Sequence, residues 1–220
     1  MDNYKVILFD LDGTLSDPKV GITKSVQYAL HKMGIDEPDT DKLECFIGPP
    51  LQVSFAEHYN FDEARIPKAI DLYRERFKEK GMFENELYSN IPLLLKSLKE
   101  QGFTLVVATS KPTVFAEQIL KHFEIDKYFE LIVGSNFDGT RASKTEIIQY
   151  ILDKYKENQL CDFIMIGDRK HDIIGASNTG IASIGVTYGY GSYDELRQSN
   201  PTHIVKSVNQ LKDILIGSKV

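Results

Sequence analysis

Five short apolar runs constrain this 220-residue chain more than any other feature: residues 5–9 (KVILF), 104–108 (TLVVA), 131–134 (LIVG), 163–166 (FIMI) and 182–187 (ASIGVT). Their apolar character is nearly continuous, which suits strands buried on both faces of a parallel sheet. Between them, residues 90–101, 113–123 and 143–156 carry apolar side chains at helical spacing. Alternating strands and helices imply right-handed βαβ units, and so an α/β fold with a doubly wound, Rossmann-like parallel sheet.

One stretch breaks the alternation. Residues 18 to 83 show only helix-like segments, around 20–33, 39–45, 51–58 and 62–80, punctuated by Pro18, Pro38, Pro49, Pro50 and Gly81. The chain therefore divides into an α/β core of residues 1–17 and 84–220 and an inserted all-helical cap of residues 18–83. The insertion follows the first strand, and open α/β sheets bind ligands at the carboxyl ends of their strands, so the insert is placed to act as a lid.

Charge narrows the partners. Asp and Glu number 32 against 26 Lys and Arg, a formal net charge of -6, which argues against binding a nucleic acid polymer. No apolar run approaches the ~18 residues that a membrane-spanning helix needs. The start of the chain has no basic segment followed by an apolar one, so no secretory signal is expected. The two cysteines, Cys45 and Cys161, lack metal-type spacing and fit a reducing, cytoplasmic setting.

Chemistry concentrates at strand ends. Asp10-Leu11-Asp12-Gly13-Thr14 follows the first run. Residues i and i+2 of an extended chain point the same way, so Asp10 and Asp12 can face one substrate. Two such carboxylates can divide labour: one attacks as nucleophile, and the other, protonated, donates to the leaving oxygen. The same residues also suit a turn with a helix cap. Gly167-Asp168-Arg169-Lys170-His171-Asp172 follows the fourth run. Asp168 can join Asp10 in holding a hard cation such as Mg2+, with Asp172 orienting a bound water, although a plain helix N-cap is the alternative. Such a site needs positive charge, and Lys144 opens the helix after the third core strand. Thr109 and Ser110 end the second run, where hydroxyl and N–H groups can bind phosphate oxygens.

The order of these parts resembles the haloacid dehalogenase superfamily along essentially the whole chain. The resemblance implies that Asp10 is nucleophile and metal ligand, and that Asp12 is general acid and base with its backbone carbonyl on the metal. It implies that Thr109 and Lys144 hold the phosphoryl group, and that Asp168 and Asp172 complete a Mg2+ site. Asp12 points to phosphoryl transfer, because dehalogenase members lack an acid there and the ion-pumping relatives continue with Lys-Thr-Gly. Phe46-Ile47-Gly48-Pro49-Pro50-Leu51 in the cap resembles a loop of phosphoglycolate phosphatases and 5'-nucleotidase-like members, which makes Ile47 and Gly48 candidate substrate contacts. The run Val186-Thr187-Tyr188-Gly189-Tyr190-Gly191 is closest to the 5'-nucleotidase-like branch.

The expectation is a Mg2+-dependent phosphatase acting on a small-molecule phosphate ester, as monomer or homodimer. A phosphomutase sharing the aspartyl-phosphate stays open, and so does a phospho-receiver or binding module without turnover. A phosphonate hydrolase would need a cap lysine, and none lies between Phe46 and Leu51. Asn136-Phe137-Asp138-Gly139-Thr140 repeats the Asp-Gly-Thr of the first motif, but Asn136 cannot form an acyl-phosphate. That segment is expected to be a turn.

Overall fold

The computed structural model describes residues 4–217. In chain order the elements are β1 (Val6–Phe9), β2 (Ser16–Asp17), α1 (Lys19–Lys32), α2 (Leu51–Tyr59), α3 (Arg65–Glu79), β3 (Glu86–Leu87), α4 (Ile91–Glu100) and β4 (Thr104–Pro112). They continue with α5 (Thr113–His122), β5 (Leu131–Ser135), α6 (Lys144–Leu152), β6 (Phe163–Gly167), α7 (Lys170–Thr179), β7 (Ala182–Val186), α8 (Tyr193–Gln198), β8 (His203–Val205) and α9 (Val208–Ile216). Two compact units result. One contains the chain up to Ser16 and again from Leu87, and the other is Asp17–Glu86.

The first unit is built on a six-stranded sheet of order β5-β4-β1-β6-β7-β8, with every pair parallel. Strand order reverses beside β1, which pairs β4 on one side and β6 on the other. Val6 lies level with Thr104 and Phe163, and Phe9 with Val107 and Ile166, so the three strands start together, and β4 runs on beyond the other two to Pro112. A crevice at such a reversal is where doubly wound sheets hold ligands. One sheet face packs Val6, Leu8, Val106, Val133 and Met165 against Ile147, Ile148 and Ile151 of α6 and Ala176 of α7. The right-handed crossovers α4 and α5 run the other way from β1, which carries them to the opposite face.

Within the helical unit α1 packs on α3, and Thr40–Phe46 forms a 3-10 helix capped by the Asp39 carboxylate. The helix expected from residue 62 starts at Arg65, because the Asp62 carboxylate accepts the N–H groups of Ala64 and Arg65 and holds the chain in a turn. Phe46, Phe55 and Phe61 form an aromatic core, with Phe55 and Phe61 stacked at 5.5 Å. Among the described residues no helix is long and apolar enough to cross a membrane.

Candidate active site

The strand-end residues singled out above all lie in the first unit, which brings Asp10, Asp168 and Asp172 together with Lys144. Asp10 leaves β1 with its N–H donating to the Ile166 carbonyl at 2.9 Å, so β6 fixes its backbone. The carboxylates of Asp10, Asp168 and Asp172 are buried and bring oxygens within 4.8 Å of one another. Into this cluster reaches Lys144, the first residue of α6, whose N-terminus is held by a capping box of Ser143 and Glu146. Its Nζ lies 2.8 Å from Asp10 Oδ1 and 2.8 Å from Asp172 Oδ1. Its Nζ also donates to the Ala108 carbonyl at 2.8 Å, which fixes the ammonium from the β4 side. Gly175 of α7 permits this approach, since a Cβ there would crowd the stem of Lys144.

The electrostatics follow from burial. Asp168 is pushed well above the ordinary carboxylate range by burial, then by Asp172 and Asp10. Burial raises Asp172 to about 6 despite the opposing pull of Lys144. Burial alone would depress Lys144, but Asp10 and Asp172 more than offset it and hold the ammonium above its usual value. Three buried carboxylates thus lie together, with the Lys144 ammonium paired to two of them, Asp10 and Asp172. A hard divalent cation with oxygen ligands suits that donor set, and Asp168 Oδ1, buried with no hydrogen-bond partner among the described residues, is a ready ligand atom. Asp172 also accepts the Arg169 N–H at 3.0 Å, so it caps α7 while facing the cluster. The capping bond to Arg169 and the pairing with Lys144 use different oxygens of the same carboxylate.

Asp12 stands apart from that cluster. Its Oδ2 lies 2.8 Å from Lys111 Nζ, and among the described residues Oδ1 has no hydrogen-bond partner. Burial raises its carboxyl above the ordinary range, with Lys111 pulling the other way. An upward shift favours the protonated form, the form that can donate to a leaving oxygen. Thr109 is buried, and its hydroxyl accepts the Lys111 N–H at 3.2 Å. Ser110 is half-buried, and its carbonyl accepts the Ser135 hydroxyl at 2.9 Å. Ile47 and Gly48 belong to the helical unit, at the end of the 3-10 helix; Ile47 is buried and Gly48 has φ +104°. Asn136–Thr140 is a turn, with Thr140 donating to the Asp138 carboxylate through both N–H and hydroxyl.

Two parts of the site escape a reading of strand ends. One is the Lys111 partnership with Asp12. The other is the loop Tyr188–Gly191, in which the Tyr190 N–H donates to Asp168 Oδ2 at 2.7 Å and the Tyr188 hydroxyl donates to the Thr14 carbonyl at 3.1 Å. A Cβ at Gly189 would collide with the Gly13 carbonyl and Asp168, and one at Gly191 with the Asp168 carbonyl. The Gly-x-Gly spacing was the available signal, because alternate glycines mark a backbone pressed against its neighbour.

Fold and site together define a hydrolase architecture, and the chain belongs to the haloacid dehalogenase-like hydrolase family, whose profile matches residues 7–186. It is 53% identical over 213 residues to the 5'-nucleotidase of Pseudomonas aeruginosa, covering 96% of each chain. It is 34% identical to the tyrosine-protein kinase PtkA of Mycobacterium tuberculosis, over 97% of this chain and 73% of that one. A solved structure described as a predicted phosphatase from Clostridium acetobutylicum superposes with a TM-score of 0.94 at 53% identity, covering 96% of this chain and 98% of that one.

Proposed function

We propose that the protein is a Mg2+-dependent phosphatase of small-molecule phosphate monoesters, of the nucleoside 5'-monophosphate or phosphoglycolate type, acting through an aspartyl-phosphate on Asp10. The carrying observation is the buried cluster of Asp10, Asp168 and Asp172, with Lys144 paired to Asp10 and Asp172 and Asp12 paired to Lys111. The likeness to a 5'-nucleotidase along nearly the full length of both chains supports the substrate class.

In this mechanism Asp10 attacks phosphorus, and the phosphoryl group passes from the ester oxygen to the carboxylate. Asp12 gives its proton to that oxygen as it leaves, then takes one from the water that cleaves the aspartyl-phosphate. Lys144 and the Thr109 hydroxyl bind the phosphoryl oxygens and offset their growing charge. Mg2+, held by Asp10, Asp168, Asp172 and the Asp12 carbonyl, supplies charge neutralisation and orientation of the phosphoryl group when bound. The insertion point after β1 supports a lid role for the helical unit, with Ile47 and Gly48 contributing to substrate choice. The same reading has a monomer or homodimer working in the cytoplasm.

The relative named as a kinase, like the phosphomutase alternative, raises transfer to an acceptor other than water. The test is phosphate release from nucleoside monophosphates, phosphoglycolate and sugar phosphates, with Mg2+ or with chelator and no added acceptor. Release that needs Mg2+ and is lost in D10N supports hydrolysis. Phosphoenzyme that turns over only when a sugar or peptide acceptor is added would replace it with transfer.

A further inference from the structure

Asp12 and its neighbour Asp10 receive different lysines from different elements, and the difference is built into the backbone. Lys144 arrives from α6 at Asp10 and Asp172, whereas Lys111 arrives from the far end of β4 at Asp12. The β4–β5 ladder is irregular between Ala108 and Pro112, so the segment holding Lys111 departs from the sheet and its side chain is re-aimed.

Several contacts hold that departure in place. The Lys111 N–H donates to the Thr109 hydroxyl, and the Ser135 hydroxyl grips the Ser110 carbonyl. Thr113 accepts the Gly134 N–H at 2.9 Å, and Gly134 lies so close that a Cβ would collide with the Lys111 carbonyl. Arg141 Nε donates to the Gly134 carbonyl at 2.9 Å, so the turn after β5 braces the same place from behind. The Lys111 side chain is only 6% exposed, which a lysine tolerates when it is paired.

We propose that Lys111 is a positioning residue for proton transfer: it pins Asp12 Oδ2 so that Oδ1 faces the leaving oxygen. The pairing also keeps the Asp12 side chain from turning toward the cluster of Asp10, Asp168 and Asp172. Without it the carboxyl samples several rotamers, and the proton is seldom delivered along the line of departure. In the step concerned the Asp10 oxygen bonds to phosphorus as the ester P–O bond breaks. The ester oxygen, which keeps that electron pair, takes the Asp12 proton; what K111M removes is only the alignment of that proton.

This inference rests on the phosphatase reading, and its test separates the two. K111M and K111R are compared with wild type by kcat/KM on an alkyl phosphate, whose alkoxide needs a proton, and on p-nitrophenyl phosphate, whose phenolate departs without one. K111M is expected to lose about 100-fold on the alkyl ester, the range for general acid catalysis, and less than about 5-fold on the aryl ester. K111R is expected to recover most of the alkyl rate, and S135A, which loosens the Ser110 carbonyl, to show the same selectivity with a smaller loss. Equal losses on both esters, in K111M or in S135A if K111M does not fold, would overturn the positioning role. If D10N still hydrolyses either ester, the phosphatase mechanism itself fails, whatever Lys111 does.

Discussion

Replacing Lys144 by methionine keeps the stem and removes the one ammonium that Asp10 and Asp172 share. Each N–O pair at 2.8 Å is worth about 6 kcal/mol of gross attraction at an effective dielectric of about 20. Desolvation of the lysine offsets much of that, and removing one partner of a buried pair costs a net loss of about 3–5 kcal/mol. For a chain of this length that lowers Tm by roughly 6–20 °C. The loss must depend on pH. Asp172 in the folded protein titrates at about 6, above an unfolded value of about 4. Its contribution to stability is therefore present below about pH 4 and is lost as pH rises through 6. Lys144 opposes the upward shift of Asp172, so without it the carboxyl titrates higher still. The penalty of K144M is then small where both proteins hold their protons and grows as pH climbs past 6. Thermal unfolding in chelator from pH 4.5 to 8.5 reads this directly. A penalty below about 1 kcal/mol, flat across that range, is the behaviour of an exposed lysine and would refute the reasoning.

Three further outcomes are expected. D12N should lose turnover on alkyl phosphates while binding Mg2+ nearly as well as wild type by calorimetry, since the Asp12 side chain lies outside the acidic cluster; a matching loss of Mg2+ affinity would misplace Asp12. G189A should weaken Mg2+ affinity about 10–100-fold, because the added methyl displaces Asp168 from the groups that orient it; unchanged affinity would show that the loop is passive. Substitutions at Ile47 and Gly48 should change the ranking of phosphoglycolate, nucleoside monophosphates and an aryl phosphate by kcat/KM without changing Mg2+ dependence. Uniform scaling of all three would remove the specificity role from that loop.

The sheet was legible because a parallel strand buried on both faces writes itself as a continuous apolar run, as in Phe163–Ile166. That Asp10 and Asp168 stand at strand ends was legible from those runs, and their shared site from the family resemblance; that β1 and β6 are neighbours in register is what the structure adds. β8 was not legible: only Val205 of its three residues is buried, too short a signal to separate from a loop. α8 carries a single buried residue, Leu196, and left equally little periodicity to find. Lys144 could be nominated from charge balance, but its burial depends on carboxylates from β1 and α7 that no local pattern reveals. Lys111 was harder still. Its direction is set by the irregular end of β4, and that irregularity depends on Gly134 and Ser135 of the next strand.

The central claim is that Asp10 becomes covalently phosphorylated. The most direct measurement is mass spectrometry of enzyme mixed with a nucleoside monophosphate and Mg2+ and quenched in acid within the first turnovers. The account predicts a phosphoryl adduct on the peptide containing Asp10, labile to hydroxylamine, absent in D10N and absent when Mg2+ is chelated. Rapid phosphate release from wild type with no adduct at any quench time, together with activity retained in D10N, would contradict it.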